Sequence, residues 1–124
     1  MTTVPHFKQI LIVDDDTVLL DLVRKWLADA GYTVVTCDRF ETARQQLVDG
    51  VPDVLLTDVR LGAFNGLQLV ILAKESHRPT IALVMSGYDH SAFRKEALQC
   101  GAGYLPKPFT REEVLAALQA AAIT

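Results

Sequence analysis

Apolar residues fall along this chain in two alternating rhythms. Short aliphatic runs with little polar alternation occupy residues 9–13 (QILIV), 33–36 (TVVT), 54–57 (VLLT) and 81–85 (IALVM). Such runs are the pattern of strands covered on both faces. A brief fifth run is 103–105 (GYL). Between them, apolar positions return at helical spacing. Val18, Leu19, Leu22, Val23, Trp26 and Leu27 predict a first helix, closed by Gly31 as the residue just past its end. Asp38 with Glu41 three residues on predicts a capped start for a second, carrying Phe40, Ala43, Leu47 and Val48. A turn at Asn65-Gly66 leads into a third through Leu67, Leu69, Val70, Leu72 and Ala73. The fourth is expected from about 89 to 100, ended by Gly101. The fifth opens at Thr110 with Glu113 as capping partner and buries Val114, Leu115, Leu118 and Ala121.

Strand–helix alternation with short connections and right-handed crossovers predicts an α/β fold, a doubly wound parallel sheet with helices on both faces. For five βα units the flavodoxin-like (βα)5 order 2-1-3-4-5 is the natural choice, opening a crevice at the carboxyl ends of strands one and three. Repeats, linkers and low-complexity tracts are absent from the sequence, so residues 1–124 read as one domain with a core of about 8–123.

Composition changes this picture only by exclusion. Half of the 124 residues are apolar and 22% are charged, enough to build a core without staples. The net charge of −3 comes from interspersed acids and bases, which argues against a direct nucleic-acid or anionic-membrane surface. No run approaches the ~20 apolar residues of a membrane span, and MTTVPHFKQ holds no signal-peptide core, so a cytoplasmic protein is expected. Cys37 and Cys100 lack the close spacing of a metal or redox motif and are expected to be reduced thiols. His6, His77 and His90 lie in polar segments and read as solvated.

The chemistry sits where the strands end. Strand one runs directly into Asp14, Asp15 and Asp16; strand three ends at Asp58, strand four at Ser86, and strand five is followed by Lys107-Pro108. The predicted topology brings these loops to one edge of the sheet. Acids that repel one another beside apolar strands need a positive partner, and an all-oxygen set suits a hard cation. Mg²⁺, which keeps waters and takes one or two carboxylates plus phosphate oxygens, fits better than a calcium cage or zinc. Asp16 reads as the N-cap of the first helix rather than as a ligand.

Together Asp14-Asp15 after ILIV, Asp58 in VLLTDVRLGAFNGLQLV, Ser86 in ALVMSGY and Lys107 in YLPKPF make the sequence resemble a receiver domain of the two-component response regulators, from Lys8 to Ile123. The resemblance implies roles. Asp58 is the implied phosphoacceptor, taking a phosphoryl group from the phosphohistidine of a sensor histidine kinase or phosphotransfer protein, with Mg²⁺ (or Mn²⁺) as cofactor. Asp15, Asp58 and the backbone carbonyl of Arg60 are the implied direct metal ligands, with Asp14 acting through a metal-bound water. Lys107 and Ser86 would hold phosphoryl oxygens, and Tyr104 matches the switch aromatic. The pattern also implies a cis bond between Lys107 and Pro108. A receiver is a signalling phosphoacceptor that catalyses its own phosphorylation and dephosphorylation, rather than an enzyme with a separate substrate.

Two positions depart from that pattern. Gly62 stands where many receivers carry proline, leaving the Arg60–Phe64 loop more backbone freedom, and Pro106 removes a donor from strand five. Arg60 and Tyr88 border the implied path of attacking water and could shield an acyl phosphate. Two rival readings exist. DDDTVL also fits the start of a haloacid-dehalogenase-like phosphatase with Asp14 as nucleophile and Asp16 as acid/base, although the further acidic motif is missing after Lys107. A pseudo-receiver would bind partners without phosphorylation. No output segment follows the fifth helix in the sequence, so a stand-alone receiver or a piece of a longer regulator is expected. The former would act on an effector through its helix-four, strand-five, helix-five face around Phe93, Tyr104 and Arg111, the same face that would serve homodimerisation.

Overall fold

Alternate residues of each strand run feed two separate apolar layers, one on either side of a single sheet. The computed structural model describes residues 9–75, 80–87 and 91–123. The main sheet has five strands, β1 (Gln9–Val13), β2 (Thr33–Cys37), β3 (Val54–Asp58), β4 (Ile81–Ser86) and β5 (Gly103–Pro106), all paired parallel in the order β2-β1-β3-β4-β5. That is the flavodoxin-like order expected from the strand–helix alternation.

The helices are α1 (Thr17–Asp29), α2 (Phe40–Gly50), α3 (Leu67–Lys74), α4 (Ser91–Gln99) and α5 (Arg111–Ile123). Leu11, Val13, Leu55, Ala82 and Val84 face a cluster completed by α2, α3 and α4. Ile10, Ile12, Val54, Leu56, Leu83 and Met85 face one completed by α1 and α5. Each fully buried aliphatic side chain contributes roughly 1.5–3 kcal/mol, so β1 and β3, covered on both faces, form the rigid centre from which the acidic loops emerge.

Local sequence signals match the helix ends at some positions and not at others. Asp16 caps α1, its carboxylate accepting from the Val18 and Leu19 amides at 3.2 Å. Gly31, at φ 101, follows the α1 C-cap as expected. Thr110 and Glu113 form the reciprocal box at the start of α5, at 2.9 and 3.1 Å. The expected Asp38–Glu41 box is absent: α2 starts at Phe40, and its cap residue Arg39 makes no side-chain cap bond. Asp38 lies instead 3.8 Å from the Arg39 guanidinium at the surface.

Four of the six expected apolar residues of α1, Leu19, Val23, Trp26 and Leu27, pack against the core, joined by Leu20. Leu20, Val23 and Leu27 are buried, whereas Val18 and Leu22 are 78% and 43% exposed; Val48 of α2 is exposed too. α1 carries more apolar residues than its contact face can take, and packing against β1 and α5 selects the i, i+3, i+7 set. The expected start of α4 near Asp89, like His6, His77, His90 and Tyr88, lies outside the described residues.

Candidate functional site

Register alone sets the first acid deep. Val13 pairs with Cys37 on one side and Thr57 on the other, so the next residue leaves the sheet at its centre. Asp14 is 1% exposed. Its amide donates to the Cys37 carbonyl at 3.2 Å, and one carboxylate oxygen accepts from the Asp16 amide at 2.9 Å. The other oxygen takes a 2.7 Å bond from the Lys107 ammonium. Lys107 reaches from the far end of the chain because β5 lies beside β4, with the Lys107 amide donating to the Ser86 carbonyl at 2.7 Å. The Lys107–Pro108 peptide is cis.

Asp58 closes β3 opposite Met85, and the Lys107 Nζ stands 3.4 Å from its carboxylate. One ammonium therefore serves two buried carboxylates. Burial pushes the Asp58 carboxyl above its ordinary pKa and the Asp14 charge adds to that, while Lys107 and the Arg60 amide pull it down without prevailing. Burial lowers Lys107, but its hydrogen bond to Asp14 and the two carboxylate charges outweigh it and hold the ammonium above its ordinary value. The site has an excess of negative charge that a second cation would relieve.

The donor set fits such a cation. Asp14, Asp15 and Asp58 each offer a carboxylate oxygen within 4.8 Å of the others. Asp15 is exposed and carries no hydrogen bond or ion pair to a described residue, whereas both Asp14 oxygens are already engaged. Three oxygen donors with no imidazole or thiolate suit Mg²⁺ or Mn²⁺.

The loop after Asp58 is more ordered than a glycine there suggests. Arg60–Leu61 and Phe64–Asn65 pair antiparallel as a two-strand ribbon. Gly62 takes the first turn position at φ 61, and positive φ at that position alone is the type II′ hairpin pattern. Gly62 therefore serves a tight turn rather than loosening the loop, correcting the expectation of greater freedom. Phe64 stacks on Phe40 of α2, ring centroids 4.6 Å apart and 10° from parallel, which ties the ribbon to the core.

Gly66 then seals the loop, its amide donating to the Val59 carbonyl at 2.6 Å. A Cβ at Gly66 would overlap the Asp58 carbonyl oxygen and lie 3.0 Å from the Thr57 hydroxyl. Because that oxygen belongs to the central strand, Gly66→Ala is expected to destabilise the protein by about 3 kcal/mol, the upper range for overpacking. Chemical denaturation measures this; a change under 0.5 kcal/mol would refute it. In the sequence, Asn65-Gly66 signals only a turn.

A cavity of about 190 Å³ opens beside Asp58, lined by Val59, Arg60, Ser86, Gly87, Phe93 and Lys107 as well as Asp58 itself. Of its lining residues, Ser86 is buried and Arg60 is exposed. Phe93 lines this cavity and is half-buried against the cluster completed by α2, α3 and α4. Tyr104, opposite Val84 in β5, is half-buried against the same side and does not line the cavity.

The family model for the response regulator receiver domain matches residues 10–119. The chain belongs to this family. Among its relatives, the DNA-binding transcriptional regulator NtrC of Escherichia coli is 33% identical over 111 residues, 89% of this chain and 24% of that protein. The response regulator MprA of Mycobacterium ulcerans is 34% identical over 113 residues, 90% of this chain and 49% of its own length. The chain thus spans between a quarter and a half of these relatives.

A CheY-like receiver domain from Methanospirillum hungatei superposes with a TM-score of 0.87 at 25% identity, covering 94% of both chains. A response regulator from Burkholderia pseudomallei, solved with a phosphorylated aspartic acid, a calcium ion and citrate, gives 0.84 at 30% identity over 94% of this chain and 69% of that one. In the present receiver domain, the strand-end residues Asp14, Asp15, Asp58, Ser86 and Lys107 converge on one edge of the sheet. No described helix is long and apolar enough to cross a membrane.

Proposed function

We propose that Asp58 is the phosphoacceptor of this receiver domain and that residues 8–123 form one switching unit. The observation that carries the reading is the single lysine shared by two buried carboxylates, 2.7 Å from Asp14 and 3.4 Å from Asp58. Lys107 is an ammonium placed to neutralise a phosphoryl oxygen, beside a carboxylate that opens onto a cavity large enough to admit one. An Asp58 oxygen forms the new bond to phosphorus as the bond to the donor's leaving group breaks in line. Ser86, buried and lining the same cavity, would offer its hydroxyl to the transferred group.

Asp15, Asp58 and the Arg60 carbonyl would hold Mg²⁺ directly, with Asp14 engaged through water, as suits its occupied oxygens. Bound there, the metal would neutralise phosphoryl charge that Lys107 alone cannot. Asp14 is a poor nucleophile for a phosphatase, since it is buried and both its oxygens are hydrogen-bonded.

By likeness to NtrC and MprA, we infer a histidine kinase or phosphotransfer protein as donor in the cytoplasm. The readout would be an output domain or effector protein met through the α4–β5–α5 face, with homodimerisation through the same face, and Tyr104 would report the state of the site. Incubation with acetyl phosphate and Mg²⁺ is expected to add one phosphoryl group by intact mass and to add none in EDTA. An adduct that forms equally well in EDTA would remove the metal from the mechanism.

A further inference from the structure

The register of the ribbon after Asp58 decides which way the Arg60 backbone faces. The Gly66 amide donates to the Val59 carbonyl, which makes 59 and 66 a hydrogen-bonded pair. Antiparallel pairs alternate, so Arg60–Asn65 is a non-hydrogen-bonded pair and Leu61–Phe64 closes the turn. The N–H and C=O of Arg60 therefore point out of the ribbon, not across to Asn65. Its amide donates to the Asp58 carboxylate, so its carbonyl leaves the ribbon on the same side. Directly opposed residues also share a face. Leu61 and Phe64 lie on one face and Arg60 and Asn65 on the other. Leu61 is buried in the core cluster completed by α2, α3 and α4, and Phe64 stacks on Phe40, which packs against that cluster. Gly62 in the turn has no side chain to restrain it.

We propose that Phe64 is a positioning residue whose stack on Phe40 holds the ribbon, and with it the Arg60 carbonyl, in place for the cation beside Asp58. The inference rests on the metal reading given above and names what preorganises one of its ligands. Beside the stack runs a groove of about 400 Å³, lined by Ile71 and Leu72 as well as the two rings. Phe64 therefore has room to swing away, and the strength of the ring contact, not confinement, sets its position. With the stack made, the ribbon is in place before the cation arrives. Without it, Leu61 and the Gly66 bond remain, but the ribbon must be ordered further on binding, and that cost is taken from the affinity.

The test is Mg²⁺ binding without phosphodonor, with Kd read from amide NMR shifts. Phe64 is 43% exposed, so its truncation leaves the core intact. Phe64→Ala is expected to raise Kd roughly three- to tenfold, the range for one aromatic pair. Phe64→Tyr, which keeps a flat ring, should stay within about twofold of native. Phe40→Ala should match Phe64→Ala, and the double variant should bind no more weakly than either, since all three remove one contact. Ile71→Ala truncates a similarly exposed apolar residue in the same groove without touching the stack, and should leave Kd unchanged. An unchanged Kd in Phe64→Ala, or an equal rise in Ile71→Ala, overturns the proposal and leaves the stack a packing contact. Failure of the native protein to bind Mg²⁺ would instead remove the metal reading, and this inference with it.

Discussion

Lys107→Met is expected to lower the metal-free melting temperature by roughly 10 °C and to slow phosphorylation of Asp58 at least a hundredfold. The lysine side chain is only 17% exposed, and its partner Asp14 is 1% exposed. Removing one member of a buried pair leaves the other charge uncompensated, which costs about 3–5 kcal/mol. The partly open Asp58 places this case near the lower figure, and about 3 kcal/mol in a domain of this size corresponds to that shift. The rate loss follows from withdrawing a preorganised charge from the phosphoryl oxygens. Two further signs accompany it. Mg²⁺ should restore more stability to the variant than it adds to the native protein, because the metal then supplies the missing positive charge. Acidification should narrow the gap, since without the ammonium Asp58 binds its proton still more readily in the folded state. Differential scanning calorimetry with and without Mg²⁺ measures all of this; a variant melting within 2 °C of native would contradict the electrostatic account.

Asp58→Asn works in the opposite direction on stability. Asp58 is held above its ordinary carboxylate value by burial first and Asp14 second. A raised carboxyl binds more protons folded than unfolded, so its contribution to stability declines as pH rises from the ordinary value through the shifted one. At neutral pH in EDTA the native protein therefore carries a charge that the fold tolerates rather than needs. Asparagine removes it and leaves Lys107 wholly to Asp14. The variant is expected to melt about 3–5 °C above native under those conditions, the effect of roughly 1 kcal/mol. The difference should shrink on acidification and reverse in Mg²⁺, which stabilises only the native carboxylate set. Thermal melts across the pH range decide it: a variant less stable than native at every pH would show that Asp58 supports the fold rather than function.

Much of this was legible in the chain because the sheet transmits register. Once QILIV and VLLT are adjacent parallel strands, Asp14 and Asp58 must emerge side by side, and the order of strands four and five brings Ser86 and Lys107 to them. Helix ends with strong local chemistry, at Asp16, Gly31 and Thr110–Glu113, were also readable. The Asp38–Glu41 pattern failed because a local capping signal competes with where the chain must leave β2, and packing won. On α1 only Val18 and Leu22 of the expected stripe fall outside the packed face, because six apolar residues exceed what one contact stripe can bury.

The site beyond its charged residues was less accessible. Gly62 reads as a loosened loop until the Arg60–Asn65 pairing shows the turn it serves. Phe64 and Phe40 are distant in sequence, and nothing local announces their stack. Phe93 reads in sequence as a surface aromatic on a helix, and only the packing of α4 against β5 brings it to the wall of the cavity beside Asp58.

The most direct test of the account is which aspartate carries the phosphate. Native protein, Asp58→Asn and Asp14→Asn would each be incubated with Mg²⁺ and acetyl phosphate and read by intact mass. The account predicts an adduct on the native protein that vanishes in Asp58→Asn. An adduct that persists in Asp58→Asn but disappears in Asp14→Asn would move the nucleophile to the end of β1 and contradict it.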